Sequence, residues 1–207
     1  REDLAHPGLV LLTGQLGTYA GATAGPWLAV QEAQRQVAVA EPLSGLVPAM
    51  DLPLADSIHF NVAGYTTLGR RFATAARRVV FGHGVDERTD LHSCASGAVP
   101  TTIECTWERT VTGGQTSLFT VVDDAGAVPV TAFSTAGSTV TLTLGRALST
   151  NPRLSYGFAT APAQAWVRDA TGTPVPCFDR VPVSPSVEKR WYRARANSAG
   201  CQKPGRY

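Results

Sequence analysis

Apolar residues follow two regimes along this chain, with the change near residue 82. In the first eighty residues, short apolar runs alternate with stretches of helical spacing. The run at 8–12 suits a buried strand and leads into the glycine-rich turn 13–17. Pro26 then stands where a helix can open, because the first helical turn needs no N–H from it. Trp27, Val30, Gln34 and Val37 mark the packed side of that helix, with Gln31, Arg35 and Gln36 on the outer side. Pro42 ends it, and a second apolar run follows at 45–50. After a loop at 51–57, residues 61–80 place Tyr65, Leu68, Phe72, Ala75, Ala76 and Val79 at intervals of three and four, which predicts a second helix with its arginines on the other side. Gly64 and Gly69 each weaken that helix by about 1 kcal/mol relative to alanine, so packing must hold it. Strand, helix, strand, helix in this order predicts a parallel α/β arrangement, with its chemistry on loops at the carboxyl ends of the strands.

Beyond residue 100 the period shortens to two. β-branched runs at 101–111, 117–122, 128–133, 138–144, 153–158 and 165–168 are separated by turn signals at Gly113-Gly114, Asp123 to Gly126, Ala136-Gly137 and Thr171-Gly172. Regular spacing and alternating faces predict an antiparallel β-sandwich. The expected organisation is an α/β segment at 1–84, a linker at 85–98, the sandwich at 99–183 and a basic extension at 184–207.

Composition narrows the function classes. The chain has 207 residues, 43% hydrophobic and 16% charged, and its net charge of +2 leaves no electrostatic footprint for nucleic acid. Its apolar runs are too short for a membrane span. It opens on Arg1 rather than Met, which fits a processed start. Cys94, Cys105, Cys177 and Cys201 match no zinc spacing, so no metal or cofactor is expected. An even number on widely spaced segments fits one or two disulfides in an oxidising compartment, with buried free thiols as the alternative. The glycines at 14–25 lack the order of a nucleotide cradle.

The candidate chemistry lies at 55–60, where Asp56 precedes His59 by three residues just before the second helix. An imidazole is suited to take a proton from a nucleophile near neutral pH, and a carboxylate on its other ring nitrogen fixes the tautomer. Such a pair is the base half of a serine hydrolase. Ser57 is too close to its neighbour to point into the ring, and Ser93 and Ser96 lack a strand-to-helix elbow.

The blocks Leu9 to Leu16, Trp27 with Gln31 to Gln34, Met50-Asp51-Leu52, and Asp56 to His59 with Leu68 to Arg71, in that order, resemble the carboxyl-terminal half of the sialate O-acetylesterase and acetylxylan esterase family, which belongs to the SGNH hydrolases. Residues 154–157 and 169–178 resemble the β-domain that follows in sialate O-acetylesterases. The resemblance implies the second half of a three-layer α/β hydrolase domain joined to a β-sandwich. It makes His59 the general base and Asp56 its orienting acid, with Asp51 as the fallback acid and Gln15 in support. It further implies an acetylated carbohydrate as substrate and a secreted, endomembrane or lysosomal location. The serine and oxyanion hole would come from an amino-terminal segment or second polypeptide. The alternative is an inactive structural subunit of a larger assembly. The chain departs from the family at Phe60, where proline is usual.

Overall fold

The computed structural model describes residues 3–20, 25–81, 89–162 and 164–185. Strands β1 (Leu11–Gly14) and β2 (Ser44–Val47) pair in parallel, with Leu11 opposite Ser44 and Gly14 opposite Val47, and helix α1 (Gly25–Ala40) connects them. The first strand starts three residues later than its apolar run and includes Thr13 and Gly14, which the sequence assigns to a turn. Packing explains the shift: a Cβ on Gly14 would lie 3.4 Å from the Phe72 ring, so glycine here admits an aromatic from the second helix. The Thr13 hydroxyl meets Gln34 of α1 at 3.4 Å, on the opposite face of the strand. Helix α2 (Val62–Phe81) and α1 therefore cover opposite faces of the two-stranded sheet.

Both helices are closed by their own side chains. Asn61 Oδ1 accepts the Gly64 N–H at 2.9 Å and caps α2, while Ser44 Oγ donates to the carbonyls of Ala38 and Glu41 after α1. The packed side of α1 differs from expectation. Val30 and Val37 face outward and are exposed, whereas Gln31 is fully buried and donates to the carbonyls of Leu16 and Gly17. A glutamine reaches unpaired loop carbonyls that a valine cannot satisfy, and this need outweighs hydrophobic patterning.

The remainder is β-structure. One antiparallel sheet has the order β3 (Leu91–Ser96), β4 (Thr102–Trp107), β9 (Thr139–Leu144) and β8 (Val130–Ala136). A second has the order β12 (Phe178–Pro182), β10 (Arg153–Tyr156), β6 (Phe119–Asp123) and β7 (Gly126–Val128). A small pair joins β5 (Val111–Gly113) and β11 (Val167–Asp169). Strand β3 lies inside the segment expected as a linker, and Ser184, expected in the extension, forms a parallel bridge with Ala95. Gly126 and Gly137 turn their hairpins at φ of +103° and +59°, as the sequence predicts.

Inward residues of both four-stranded sheets, among them Ile103, Trp107, Leu142, Leu154, Tyr156 and Phe178, form one core, and Met50 of the α/β part joins it. The two parts are therefore packed as one body. Glu32 of α1 accepts the Asp179 N–H, and the Tyr19 N–H donates to the Thr160 carbonyl.

Candidate active site

The segment after β2 carries the Asp56–His59 pair on a tight loop. Leu54 and Phe60 form an antiparallel bridge across it, the Ala55 N–H donates to the His59 carbonyl at 2.7 Å, and the Ala20 N–H donates to the Ser57 carbonyl. Phe60 seats the loop: a Cβ on Gly17 would lie 2.7 Å from its ring, and its ring meets Tyr65 edge-on at 5.6 Å between centroids. An aromatic wedge thus occupies the position directly after His59.

Asp56 uses both carboxylate oxygens. Oδ1 accepts the backbone N–H groups of Ile58 and His59 at 2.8 and 2.7 Å, and Oδ2 lies 2.7 Å from His59 Nδ1. The His59 backbone N–H, then that of Ile58, then the ring nitrogen hold this carboxyl down to about 2. The carboxylate therefore stays ionised across the range in which an imidazole changes charge, and Nδ1 acts as the donor toward it. The His59 side chain is 63% exposed, so Nε2 faces solvent as the free ring nitrogen. An imidazole held in this way can accept a proton at Nε2.

The other expected members take different positions. Asp51 lies between Arg71 of α2, at 2.7 and 2.9 Å, and Arg168 of β11, at 2.9 Å, and makes no bond to His59. Burial pushes its carboxyl up, but hydrogen bonding and charge from Arg71 and Arg168 outweigh burial and leave it below the usual range. Gln15 is buried with its amide taken up by the Cys177 backbone, Nε2 donating to the carbonyl at 2.9 Å and Oε1 accepting the N–H at 3.0 Å. Both residues join the α/β part to the β-sheets. The family resemblance assigned them to the site, and no local signal points to partners 117 and 162 residues away.

Cys94 and Cys105 are disulfide-bonded directly across β3 and β4, with Cα atoms 4.1 Å apart. Cys177 is a buried free thiol whose ionisation burial makes harder, and Cys201 lies outside the described residues. Among the described residues, no cluster of three or more His, Cys, Asp or Glu is placed to hold a metal, and no helix is long and apolar enough to cross a membrane.

Residues 1–78 match the profile of the carbohydrate esterase family of sialic acid-specific acetylesterases. No curated protein is significantly similar to the chain. Among solved structures, a carbohydrate acetylesterase from Xanthomonas citri superposes with a TM-score of 0.69 at 21% identity, over 84% of this chain and 41% of its own. This chain thus spans about two fifths of that neighbour's length, and the likeness is one of fold. The amino-terminal part of the bacterial S-layer protein SbsC gives a TM-score of 0.38 at 12% identity, over 60% of this chain and 29% of its own, too low to carry an argument. The Asp56–His59 loop lies inside the segment 1–78 that is similar to the carbohydrate esterase family of sialic acid-specific acetylesterases.

Proposed function

We propose that this chain supplies the base half of a serine-dependent carbohydrate O-acetylesterase, with a segment outside these 207 residues contributing the nucleophile and oxyanion hole. The observation that carries this reading is the 2.7 Å contact of Asp56 Oδ2 with His59 Nδ1, which leaves Nε2 of an exposed ring available. In the proposed reaction Nε2 removes the serine proton as the oxygen attacks the acetyl carbon. The protonated ring then gives that proton to the leaving sugar oxygen, and water, deprotonated by the same nitrogen, attacks the acyl-serine, the ring returning the proton to the serine oxygen as acetate leaves. The parallel α/β part is read as the second half of an SGNH-type three-layer domain, followed by a β-sandwich. The exposed apolar residues Leu9, Leu11, Val30 and Val37 support a second segment packing on β1 and α1. An oxidising compartment is in keeping with the Cys94–Cys105 bond.

A structural subunit without activity is the rival reading, favoured by the absence of any hydroxyl bonded to His59 among the described residues. Hydrolysis of p-nitrophenyl acetate by the native assembly separates the two. His59→Ala is expected to lower kcat about 10²- to 10⁴-fold with folding intact. Undiminished turnover in that variant removes His59 from the mechanism, and an inert native assembly favours the structural subunit. Because the Asp56 carboxyl is held down to about 2, its own protonation is not expected to limit activity between pH 4 and pH 7, which the pH profile of p-nitrophenyl acetate hydrolysis checks.

A further inference from the structure

Every residue from Ala55 to His59 is exposed, so the loop that carries the Asp56–His59 pair is anchored by side chains at its two ends, through the half-buried Leu54 and Phe60. Hydrogen bonds between exposed groups compete with water. The 2.7 Å contact of Asp56 Oδ2 with His59 Nδ1 is therefore too weak to hold an exposed ring in one orientation unless the backbone beneath it is already fixed. Phe60 is the neighbour placed to fix it. Its backbone forms the antiparallel bridge with Leu54, and successive side chains leave an extended backbone on opposite faces, so a ring that points inward sends the imidazole before it outward.

Two glycines make room for the Phe60 ring. A Cβ on Gly17 would lie 2.7 Å from its Cε1 and Cζ, at the tip, and a Cβ on Gly64 would lie 2.9 Å from the Phe60 Cβ, at the base. The Tyr65 ring meets it edge-on from a third side. The seat at Gly17 is itself tied to α1. The Gly17 carbonyl accepts Trp27 Nε1–H at 2.9 Å and Gln31 Nε2–H at 3.2 Å, Gln31 Nε2 also donates to the Leu16 carbonyl at 2.7 Å, and Gln34 Oε1 accepts the Leu16 N–H at 2.9 Å. Three side chains of one helix thus hold the backbone on which Phe60 rests.

We infer that Phe60 is a positioning residue for the His59 imidazole: wedged between Gly17 and Gly64, it sets the backbone from which Nδ1 meets Asp56, and α1 sets Phe60 through Gly17. Its effect on turnover rests on the reading of His59 as the base, and its effect on the ring does not. A smaller side chain at 60 or a larger one at 17 frees the imidazole to leave Asp56 and to take the tautomer in which Nε2 carries the proton and cannot accept another.

Nitrogen-15 NMR of the full 207-residue chain, above the ordinary histidine pKa, reads the ratio of the two His59 tautomers, with His59→Ala identifying the signals. Wild type is expected to hold the proton on Nδ1. Phe60→Ala and Gly17→Ala are each expected to shift the ratio about tenfold toward Nε2–H, the equivalent of about one hydrogen bond. Trp27→Phe, which keeps an aromatic ring but loses the indole N–H, is expected to shift it the same way by less. Gly17→Ala combined with Phe60→Leu is expected to recover part of the wild-type ratio, which a general loss of stability would not do. If Phe60→Ala does not fold, Phe60→Leu takes its place with a smaller shift in the same direction. In a native assembly that hydrolyses p-nitrophenyl acetate, Phe60→Ala is expected to lower kcat about 10- to 10²-fold with KM unchanged, the loss that follows from displacing a base by about 1 Å. Should that assembly prove inert, the esterase reading fails and the tautomer ratio still decides the positioning role. A wild-type ratio in the folded variants, or a wild-type ring already protonated on Nε2, overturns the inference.

Discussion

Two glycines of α2 show how a single residue's surroundings decide the sign of one substitution. A Cβ on Gly64 would lie 2.8 Å from the Pro53 carbonyl oxygen, a backbone atom that also accepts the Asn61 N–H and cannot yield. A Cβ on Gly69 would meet nothing within 4 Å. Gly69→Ala is therefore expected to raise stability by about 1 kcal/mol through helix propensity alone. Gly64→Ala is expected to lower it by about 1–2 kcal/mol, because overpacking outweighs the same gain. Urea unfolding of the two variants checks both signs; equal shifts would mean that the loop before α2 has room to move. Gly64 thus lets the 53–60 loop lie against the helix, which is what carries His59 to the surface.

At the scale of elements, β3 and β4 are joined in two ways, by their antiparallel ladder and by the disulfide between facing Cys94 and Cys105. The bridge closes a loop with a sequence separation of 11, for which chain entropy predicts a contribution of up to about 3 kcal/mol. Replacing both cysteines by alanine is expected to lower the thermal midpoint and to leave β4–β9 pairing intact. Circular dichroism melting with and without reductant measures it: wild-type protein should lose a comparable amount in reductant, and the double variant should not respond. If Cys177, buried against Gln15, contributed a redox response of its own, reductant would still shift the variant.

The whole molecule depends on contacts that cross from the α/β part to the β-sheets, and Asp51 makes one of them through charge. Its side chain is 9% exposed between Arg71 and Arg168. Its folded pKa is depressed, so the stability it contributes is complete above the ordinary carboxylate value near 4 and is lost as pH falls through the lower folded value. Asp51→Asn is expected to cost about 2–4 kcal/mol at neutral pH, since it leaves two guanidinium groups uncompensated. It is also expected to flatten the acid limb of the stability profile. Chemical unfolding from pH 3 to pH 7 tests both; a variant that keeps the wild-type slope would assign that limb to other carboxylates.

Local chemistry alone was enough for much of this protein. The spacing of Leu68, Phe72 and Val79 located α2 to within a residue, alternation from Thr139 to Leu144 marked β9, and a separation of three residues was enough to bring Asp56 onto His59, since that contact closes within one turn of chain. What tertiary structure decided involves partners remote in sequence. Gln31 turned inward because loop carbonyls had to be satisfied, and β3 formed where no alternation was visible because β4 offered it a ladder. Asp51 and Gln15 tie the two parts together, because Arg168 and Cys177 reach them only after the chain has folded back. Short-range hydrogen bonds are dictated by the order of residues, whereas a buried polar group's partner is settled by whichever distant segment desolvates it.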